Sequence, residues 1–185
     1  TLESSVFLSG LPIASLMEKV GQSMSDFLLN KPNLVQHGVL VIVGPGHNGG
    51  DGLVVARELY LKGVDVKIWC PVKISKPITA GHLSHVKWLG IKEISVQPDP
   101  SEKILWIDAL FGLGQTRPLP SSISELFQFR EKACPGMLVS LDVPSGLCSD
   151  SGFLLPGGAA KAIFTLTVGL IKKGLVQDSA LDTVG

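Results

Sequence analysis

A glycine-rich stretch that directly follows an apolar run constrains the fold of this chain more than any other feature. The run VLVIV, residues 39–43, is continuous and β-branched, as in a strand buried on both faces of a sheet. The next nine residues, GPGHNGGDG, contain five glycines and end the strand. A single glycine suffices for a turn, so this density predicts a ligand that approaches the bare backbone. A helix is predicted to follow over residues 51–61.

Strand and helix signals alternate along the rest of the chain. The predicted helices cover residues 11–28, 51–61, 77–89 and 122–132, and the predicted strands cover residues 39–44, 64–70, 94–96, 104–109, 137–143 and 163–168. We expect Pro32 to end the first helix and a capping box, Ser122 to Glu125, to open the fourth. Short connections between alternating elements predict an α/β fold with a mainly parallel sheet and helices on both faces. No repeat or long linker divides the chain, so we expect residues 1–185 to form one domain.

Composition excludes several classes of function. The formal net charge is zero and aromatic residues make up 6% of the chain, which argues against a nucleic-acid or membrane-surface partner. No uncharged apolar run reaches the length of about 18 residues that a membrane span requires. Cys70, Cys134 and Cys148 form no metal-ligand pattern, so we expect neither zinc nor a disulfide framework. We expect buried, inert thiols at Cys70 and Cys134, and a reducing compartment: the cytoplasm, or an organelle matrix if a targeting peptide has been removed.

The spacing of Gly44, Gly46 and Gly49 fits the GxGxxG pattern of dinucleotide-binding folds, in which a phosphate approaches a helix N-terminus. Two features argue against an ordinary nicotinamide dehydrogenase. The second strand is followed by WCPVK, residues 69–73, without the acidic residue that holds the adenosine ribose. Asp51 is also predicted at the start of the helix, where its carboxylate would occupy the site that binds the phosphate of a dinucleotide. The alternative for Asp51 is a simple helix cap.

Polar side chains follow three of the predicted strands. They are His47, Asn48 and Asp51 after the first, Asp108 and residues 112–118 at the end of the strand from Ile104, and Asp142 and Ser145 at the end of the strand from Met137. If these strands are neighbours, three carboxylates share one crevice, with Arg117 and His47 as the obvious counter-charges. Crowded carboxylates repel, so one stays protonated or a cation joins them. Amide, carboxylate and hydroxyl oxygens suit a hard cation, and a carboxyl group with a raised pKa suits acid–base catalysis.

Several motifs of this chain occur in the order found in a known family. They are LMEKVGQS from Leu16, GPGHNGGDGLVVAREL from Gly44, IDALFGLGQTRPL from Ile107, SLDVPSG from Ser140 and FTLTVGLIKKGL from Phe164. Together they resemble the YjeF N-terminal domain family, and the resemblance covers nearly the whole chain. It implies a Rossmann-like three-layer α/β/α sandwich with the activity of an NAD(P)H-hydrate epimerase.

The implied substrates are NADHX and NADPHX, in which the nicotinamide ring of NADH or NADPH has been hydrated. The epimerase interconverts their R and S epimers, and an ADP- or ATP-dependent dehydratase, separate or fused, then completes the repair. The resemblance also implies one potassium ion per site and no flavin.

The resemblance assigns roles to residues that match the family's motifs. The implied substrate-binding residues are His47, Asn48, Gly49, Gly50, Asp51, Gly112, Leu113, Gly114, Gln115, Thr116, Arg117, Pro118 and Asp142. The implied potassium ligands are Asn48, Asp108 and Ser145. We expect Asp142 or Asp108 to be the acid that protonates the departing hydroxyl, with Asp142 favoured if Asp108 chiefly binds potassium.

The chain departs from the family pattern at three positions of the implied site. His47 stands where asparagine is commoner, Leu113 is bulkier than the usual residue, and the basic Arg117 is displaced by one position. An alternative function is a non-catalytic module that binds nucleotides or proteins. Retention of Asp51, Asp108 and Asp142 favours catalysis, and a homodimer through the first helix is a further expectation.

Overall fold

The computed structural model of the protein describes residues 10–185. In chain order its elements are α1 (Ile13–Leu29), α2 (Pro32–Val35), β1 (Val39–Val43), α3 (His47–Leu61), β2 (Val66–Trp69), α4 (Pro77–Trp88), β3 (Lys92–Ile94), β4 (Leu105–Ala109), α5 (Ser121–Ala133), β5 (Leu138–Leu141), β6 (Phe164–Leu166) and α6 (Leu181–Val184). Two short 3-10 helices, Lys173–Val176 and Asp178–Ala180, precede α6. None of the helices formed by residues 10–185 has the length and apolarity needed to cross a membrane.

The strands form one sheet in the order β3-β2-β1-β4-β5-β6, and every neighbouring pair is parallel. In the central register Ile42 lies beside Asp108, and Asp108 lies beside Ser140. The carboxyl ends of β1, β4 and β5 are therefore adjacent, which is the condition for the predicted crevice. This arrangement confirms the predicted α/β fold with its parallel sheet.

Helices cover both faces of the sheet. In β4, Leu105, Ile107 and Ala109 point to the face covered by α1, α3 and α4, whereas Trp106 packs on the opposite face with α5. This alternation of apolar side chains toward both faces is typical of a parallel strand buried on both sides. The predicted three-layer α/β/α sandwich is confirmed.

Several predicted boundaries were wrong. The predicted capping box does not form, because α5 begins at Ser121 with Pro120 as its N-cap and Ser122 is already helical. The third strand lies two residues earlier than predicted. The predicted strand over residues 137–143 ends at Leu141, because Asp142 adopts a left-handed backbone with φ of 64°. Pro32 does not end α1 but opens α2, since proline suits the first position of a helix.

Candidate active site

A cavity of about 470 Å³ opens at the carboxyl edge of the sheet. One wall is apolar and comes from α1, with Ile13, Leu16, Met17 and Val20. The polar lining residues are His47, Asn48 and Asp51 from the start of α3, Gln115 from the segment after β4, and Asp142 directly after β5. Ligands of parallel α/β sheets bind in such a crevice, outside the carboxyl ends of the strands. An apolar wall facing a few polar groups is typical of a small-molecule site.

The glycines after β1 serve mainly to pack the protein against itself. A Cβ atom would lie 1.6 Å from the Leu110 carbonyl oxygen at Gly44, 2.0 Å from the Gly44 carbonyl oxygen at Gly49, and 2.4 Å from the Ala109 side chain at Gly52. At Gly50 the side chain of Met17 on α1 occupies the space that a Cβ atom would need. Packing thus accounts for most of this glycine density, and the predicted substrate contacts of Gly49 and Gly50 stay predictions. Among the five, Gly46 alone has open space where a side chain would stand, and it lines the cavity.

Helix α3 begins at His47, four residues before the predicted start. Its N-cap is Gly46, and the glycines of the first turn, although poor helix formers, allow the helix to lie against the end of β1. Asp51 therefore lies in the second turn, and the interpretation of Asp51 as a helix cap or as an occupant of the anion position was wrong. The first N–H groups of α3, at His47 and Asn48, have no acceptor within the helix and belong to residues that line the cavity.

Asp108 is fully buried at the end of β4 and accepts four hydrogen bonds. Its Oδ1 accepts from the Leu110 N–H at 3.2 Å and the Ser145 hydroxyl at 2.7 Å, and its Oδ2 accepts from the Ser140 hydroxyl at 3.0 Å and the Ser145 N–H at 2.8 Å. Burial raises the pKa of Asp108, although these bonds partly offset the shift. Four donors fill the lone-pair positions of a carboxylate. Asp108 therefore orders the loops after β4 and β5.

Asn48 joins the start of α3 to the two neighbouring strand ends. Its Nδ2 donates to the carbonyl oxygen of Phe111 at 3.0 Å and to that of Leu141 at 3.2 Å. Its Oδ1 is buried and has no hydrogen-bond partner among the described residues. A buried, unpaired acceptor is costly and is often explained by an ion or water that the protein binds. No three His, Cys, Asp or Glu side chains within residues 10–185 are grouped to hold a metal ion.

Asp142 forms a buried ion pair beneath the cavity. Its Oδ1 accepts a short hydrogen bond from Lys172 Nζ, and its Oδ2 accepts from the Leu113 N–H at 2.9 Å. The side chains of Lys172 and Asp142 are 7% and 12% exposed. The expected counter-charges were Arg117 and His47, but the cation that contacts Asp142 is Lys172.

The loop after β4 is held by the loop after β5. Gln115 Oε1 accepts from the Gly146 N–H at 2.8 Å, and the Ser149 hydroxyl donates to the Leu113 carbonyl at 3.2 Å. Gly112 lies so close to Asp142 that a Cβ atom would stand 2.8 Å from its Oδ2. Glycine at position 112 thus allows the loop backbone to reach the carboxylate.

The structure brings most of the predicted site residues together. The lining includes His47, Asn48, Asp51, Gly112, Leu113, Gly114, Gln115 and Asp142. Gly49 and Gly50 are buried in the fold, Thr116, Arg117 and Pro118 are exposed and outside the lining, and Asp108 and Ser145 are fully buried next to it. The substrate, potassium and acid roles of all these residues stay predictions.

Sequence reasoning missed two parts of the site. Lys172 stands in the motif FTLTVGLIKKGL, but its distance from Asp142 along the chain gives no sign of their contact. The apolar side chains of α1 that form one wall were used only to predict a helix and a homodimer contact. The available signal for Lys172 was its place in an otherwise apolar segment just after a predicted strand.

Comparisons with known proteins agree with this geometry. Residues 13–174 match the model of the family described as YjeF-related protein N-terminus. The crystal structure of the yeast protein ynu0 has the same fold, with a TM-score of 0.78 and 23% sequence identity over 89% of this chain and 74% of that one.

Curated relatives of this chain are named as NAD(P)H-hydrate repair enzymes or epimerases. The bifunctional NAD(P)H-hydrate repair enzyme Nnr of Thermosynechococcus vestitus is 43% identical over the whole of this chain, which spans 36% of that enzyme. The Nnr of Gloeobacter violaceus is 41% identical and is also covered to 36% of its length. The NAD(P)H-hydrate epimerase of Oenococcus oeni is 35% identical over 95% of this chain and 84% of its own length. The chain thus spans about a third of the bifunctional relatives and most of the shorter epimerase.

Proposed function

This chain belongs to the family of YjeF-related protein N-termini, and we propose that it is an isomerase that interconverts the R and S epimers of hydrated NADH and NADPH. Relatives named for this activity support the proposal, including an epimerase of which the chain covers 84%. The observation that carries it is Asp142, a carboxylate in the cavity lining that is fixed by Lys172 and by the Leu113 N–H. Fixed acid–base groups beside an apolar wall suit chemistry on a nicotinamide ring.

The reaction needs proton transfer at the hydrated ring carbon. As the C–O bond breaks, the hydroxyl takes a proton and leaves as water, while the lone pair of the ring nitrogen forms a planar iminium. Water then adds to the other face and releases one proton, so the epimerisation consumes none overall. Asp142 gives the proton when the hydroxyl departs on its side, and takes it back when water returns there in the reverse direction.

Asp142 also stabilises the iminium intermediate. The carboxyl group of Asp142 accepts hydrogen bonds from Lys172 and from the N–H groups of Leu113 and Val168, which fix its position. After Asp142 has given its proton to the departing hydroxyl, its carboxylate stabilises the positive charge of the iminium. Asp108 is the weaker candidate for the acid, because it is fully buried and its lone-pair positions are already filled by Ser145, Ser140 and Leu110.

We assign two parts of the substrate nucleotide to two walls of the cavity. We assign the apolar wall of α1, centred on Leu16 and Met17, to the hydrated ring. The free N–H groups at the start of α3, beside Gly46 and His47, suit a phosphate of the substrate. A contact between Arg117 and a phosphate stays a prediction, because Arg117 lies outside the lining.

We also propose that a potassium ion binds at Asn48. The buried, unpaired Oδ1 of Asn48 suits a hard cation, and the carboxyl group of Asp108 would supply a second oxygen. The Ser145 hydroxyl, which now donates to Asp108, would contribute a third oxygen after rotation. Such an ion would order the loops after β4 and β5. We expect KCl to raise the melting temperature of the wild type more than NaCl at equal ionic strength, and Asn48→Ala to remove the difference. Equal melting temperatures in the two salts for the wild type would contradict the potassium site.

The functional partner that we propose is an NAD(P)HX dehydratase, supplied in trans or as a fused domain as in the bifunctional relatives. An assembly of two copies through the start of α1, where Ile13 and the preceding Leu11 are exposed, stays a prediction.

The test is the conversion of purified R-NADPHX in water enriched in oxygen-18. The protein should accelerate formation of the S epimer above the spontaneous rate, and each S molecule formed should carry one heavy oxygen atom. A spontaneous rate in the presence of folded protein and potassium would refute the epimerase and favour a binding module. Acceleration without the label would keep the isomerase but refute departure and return of water.

A further inference from the structure

Lys172 makes contacts that explain why Asp142 has one fixed position. Its ammonium group donates to Asp142 Oδ1, to the Thr167 hydroxyl at 3.0 Å and to the Val168 carbonyl at 2.6 Å. An ammonium has three protons, so these bonds use all of them. None is left for a direct hydrogen bond to a substrate. The contacts of Lys172 thus join the segment after β6 to the carboxylate.

Asp142 needs such support because its backbone is strained. Among the described residues it alone combines a side chain with a positive φ, 64°. Such a conformation costs free energy and persists only where surrounding contacts fix it. Its own N–H donates to the Leu166 carbonyl at 2.8 Å, at the end of β6. Backbone and side chain of Asp142 are therefore both held by the segment that runs from β6 to Lys172.

We infer that Lys172 is a positioning residue for the epimerisation: it fixes the Asp142 carboxylate at the cavity and compensates its buried charge. This inference rests on the proposed function. A carboxylate displaced by about 1 Å loses roughly 10²-fold in rate when it acts in proton transfer. Lys172 itself does not touch the substrate.

Five variants test the inference: Lys172→Met, Lys172→Arg, Asp142→Asn, the double variant Asp142→Asn/Lys172→Met, and Lys173→Met as the matched control. Lys173 is the exposed neighbour on the same segment. For each we would measure kcat and KM for R-NADPHX and the urea midpoint of unfolding. Lys172→Met should lower kcat by about 10²-fold with KM changed much less, Lys172→Arg should retain more activity, and Lys173→Met should match the wild type.

The double variant separates positioning from mere stability. Removing only Lys172 leaves a buried carboxylate without its partner, so the urea midpoint should fall, and removing both charges should restore part of it. The kcat of the double variant should stay as low as that of Asp142→Asn, because both side chains act as one unit. A Lys172→Met protein that is folded and fully active, while the wild type is active, would overturn the positioning role alone. A wild type without epimerase activity would overturn the proposed function, and the positioning role would fall with it.

Discussion

Asp108 and Ser145 are joined by two hydrogen bonds, because the hydroxyl and the N–H of Ser145 donate to different oxygens of the Asp108 carboxylate at 2.7 and 2.8 Å. This pairing closes the loop after β5 against the end of β4. It holds Ser145 three residues beyond Asp142, whose carboxylate reaches the cavity. The buried pair is therefore part of what orders the candidate site.

The first prediction concerns Asp108→Asn. An amide nitrogen placed at either carboxylate position would face a backbone N–H, from Leu110 or from Ser145, that cannot rotate away. We expect a loss of about 1–3 kcal/mol in the free energy of unfolding, since a buried donor loses its acceptor. Urea unfolding measures this loss of stability, and Asp150→Asn, at an exposed position, is the control. Equal stability of wild type and Asp108→Asn would contradict the assigned hydrogen bonds.

The second prediction separates packing glycines from the glycine at the cavity. Gly49→Ala should destabilise the fold by about 1–3 kcal/mol, because its Cβ would overlap the Gly44 carbonyl. Gly46→Ala has open space and a φ of -98°, so it should lose only the preference for glycine over alanine at an N-cap, roughly 0.5 kcal/mol. Thermal unfolding of both variants checks this. Equal destabilisation by the two substitutions would show that backbone conformation, and not packing, requires glycine here.

The third prediction is a pH dependence of the contact between α1 and α3. Glu18 accepts hydrogen bonds from Arg57, and these hold the pKa of Glu18 below its ordinary value of 4.5. A lowered pKa contributes stability above the unfolded value, and this contribution is lost as the pH falls through the folded value. The Glu18 side chain is 43% exposed, so Glu18→Gln should cost only about 0.5 kcal/mol at pH 7 and nearly nothing at pH 2–3.

Urea unfolding at both pH values tests the Glu18 prediction, with the exposed Glu125→Gln as control. His82 Nδ1 lies 3.8 Å from Glu18, but burial lowers the pKa of His82, so it is neutral at pH 7 and adds no charge to the pair there. A cost of Glu18→Gln that is the same at pH 7 and at low pH would contradict an ionic contribution.

The fourth prediction ranks the thiols. Burial raises the pKa of Cys70 to about 12, whereas hydrogen bonds from Ser151 lower the pKa of Cys148. The thiolate is the reactive form, so iodoacetamide at pH 8 should label Cys148 well before Cys70. Mass spectrometry of peptides after short labelling times measures the order, and Cys148→Ser identifies the fast site. Faster labelling of Cys70 would contradict the raised pKa of this half-buried thiol.

The sequence predicted the layers of this fold because the central strands β1 and β4 are apolar runs and because strand and helix signals alternate regularly. It also predicted that the ends of β1, β4 and β5 carry the polar residues, since each of these residues directly follows a strand signal. The start of α3 was missed because glycine disfavours helices, and the packing of Gly44, Gly49 and Gly52 overrides that preference.

Contacts between distant segments could not be predicted in the same way. Lys172 meets Asp142 only because β6 is parallel to β5 and places the following segment at the same edge. The Asn48 side chain reaches the carbonyls of Phe111 and Leu141 for the same reason. Local pattern identifies such residues as polar and near a strand end, but only the register of the sheet decides which of them meet.

The central claim is that Asp142 exchanges a proton with the substrate in this cavity. Its most direct test is the initial rate at which S-NADPHX forms from R-NADPHX, with wild type, with Asp142→Asn and without protein, in the presence of potassium. We predict a rate well above the spontaneous one for the wild type and a loss of about 10²–10⁴-fold for the folded Asp142→Asn protein. A folded Asp142→Asn protein with the wild-type rate would contradict this account of the site.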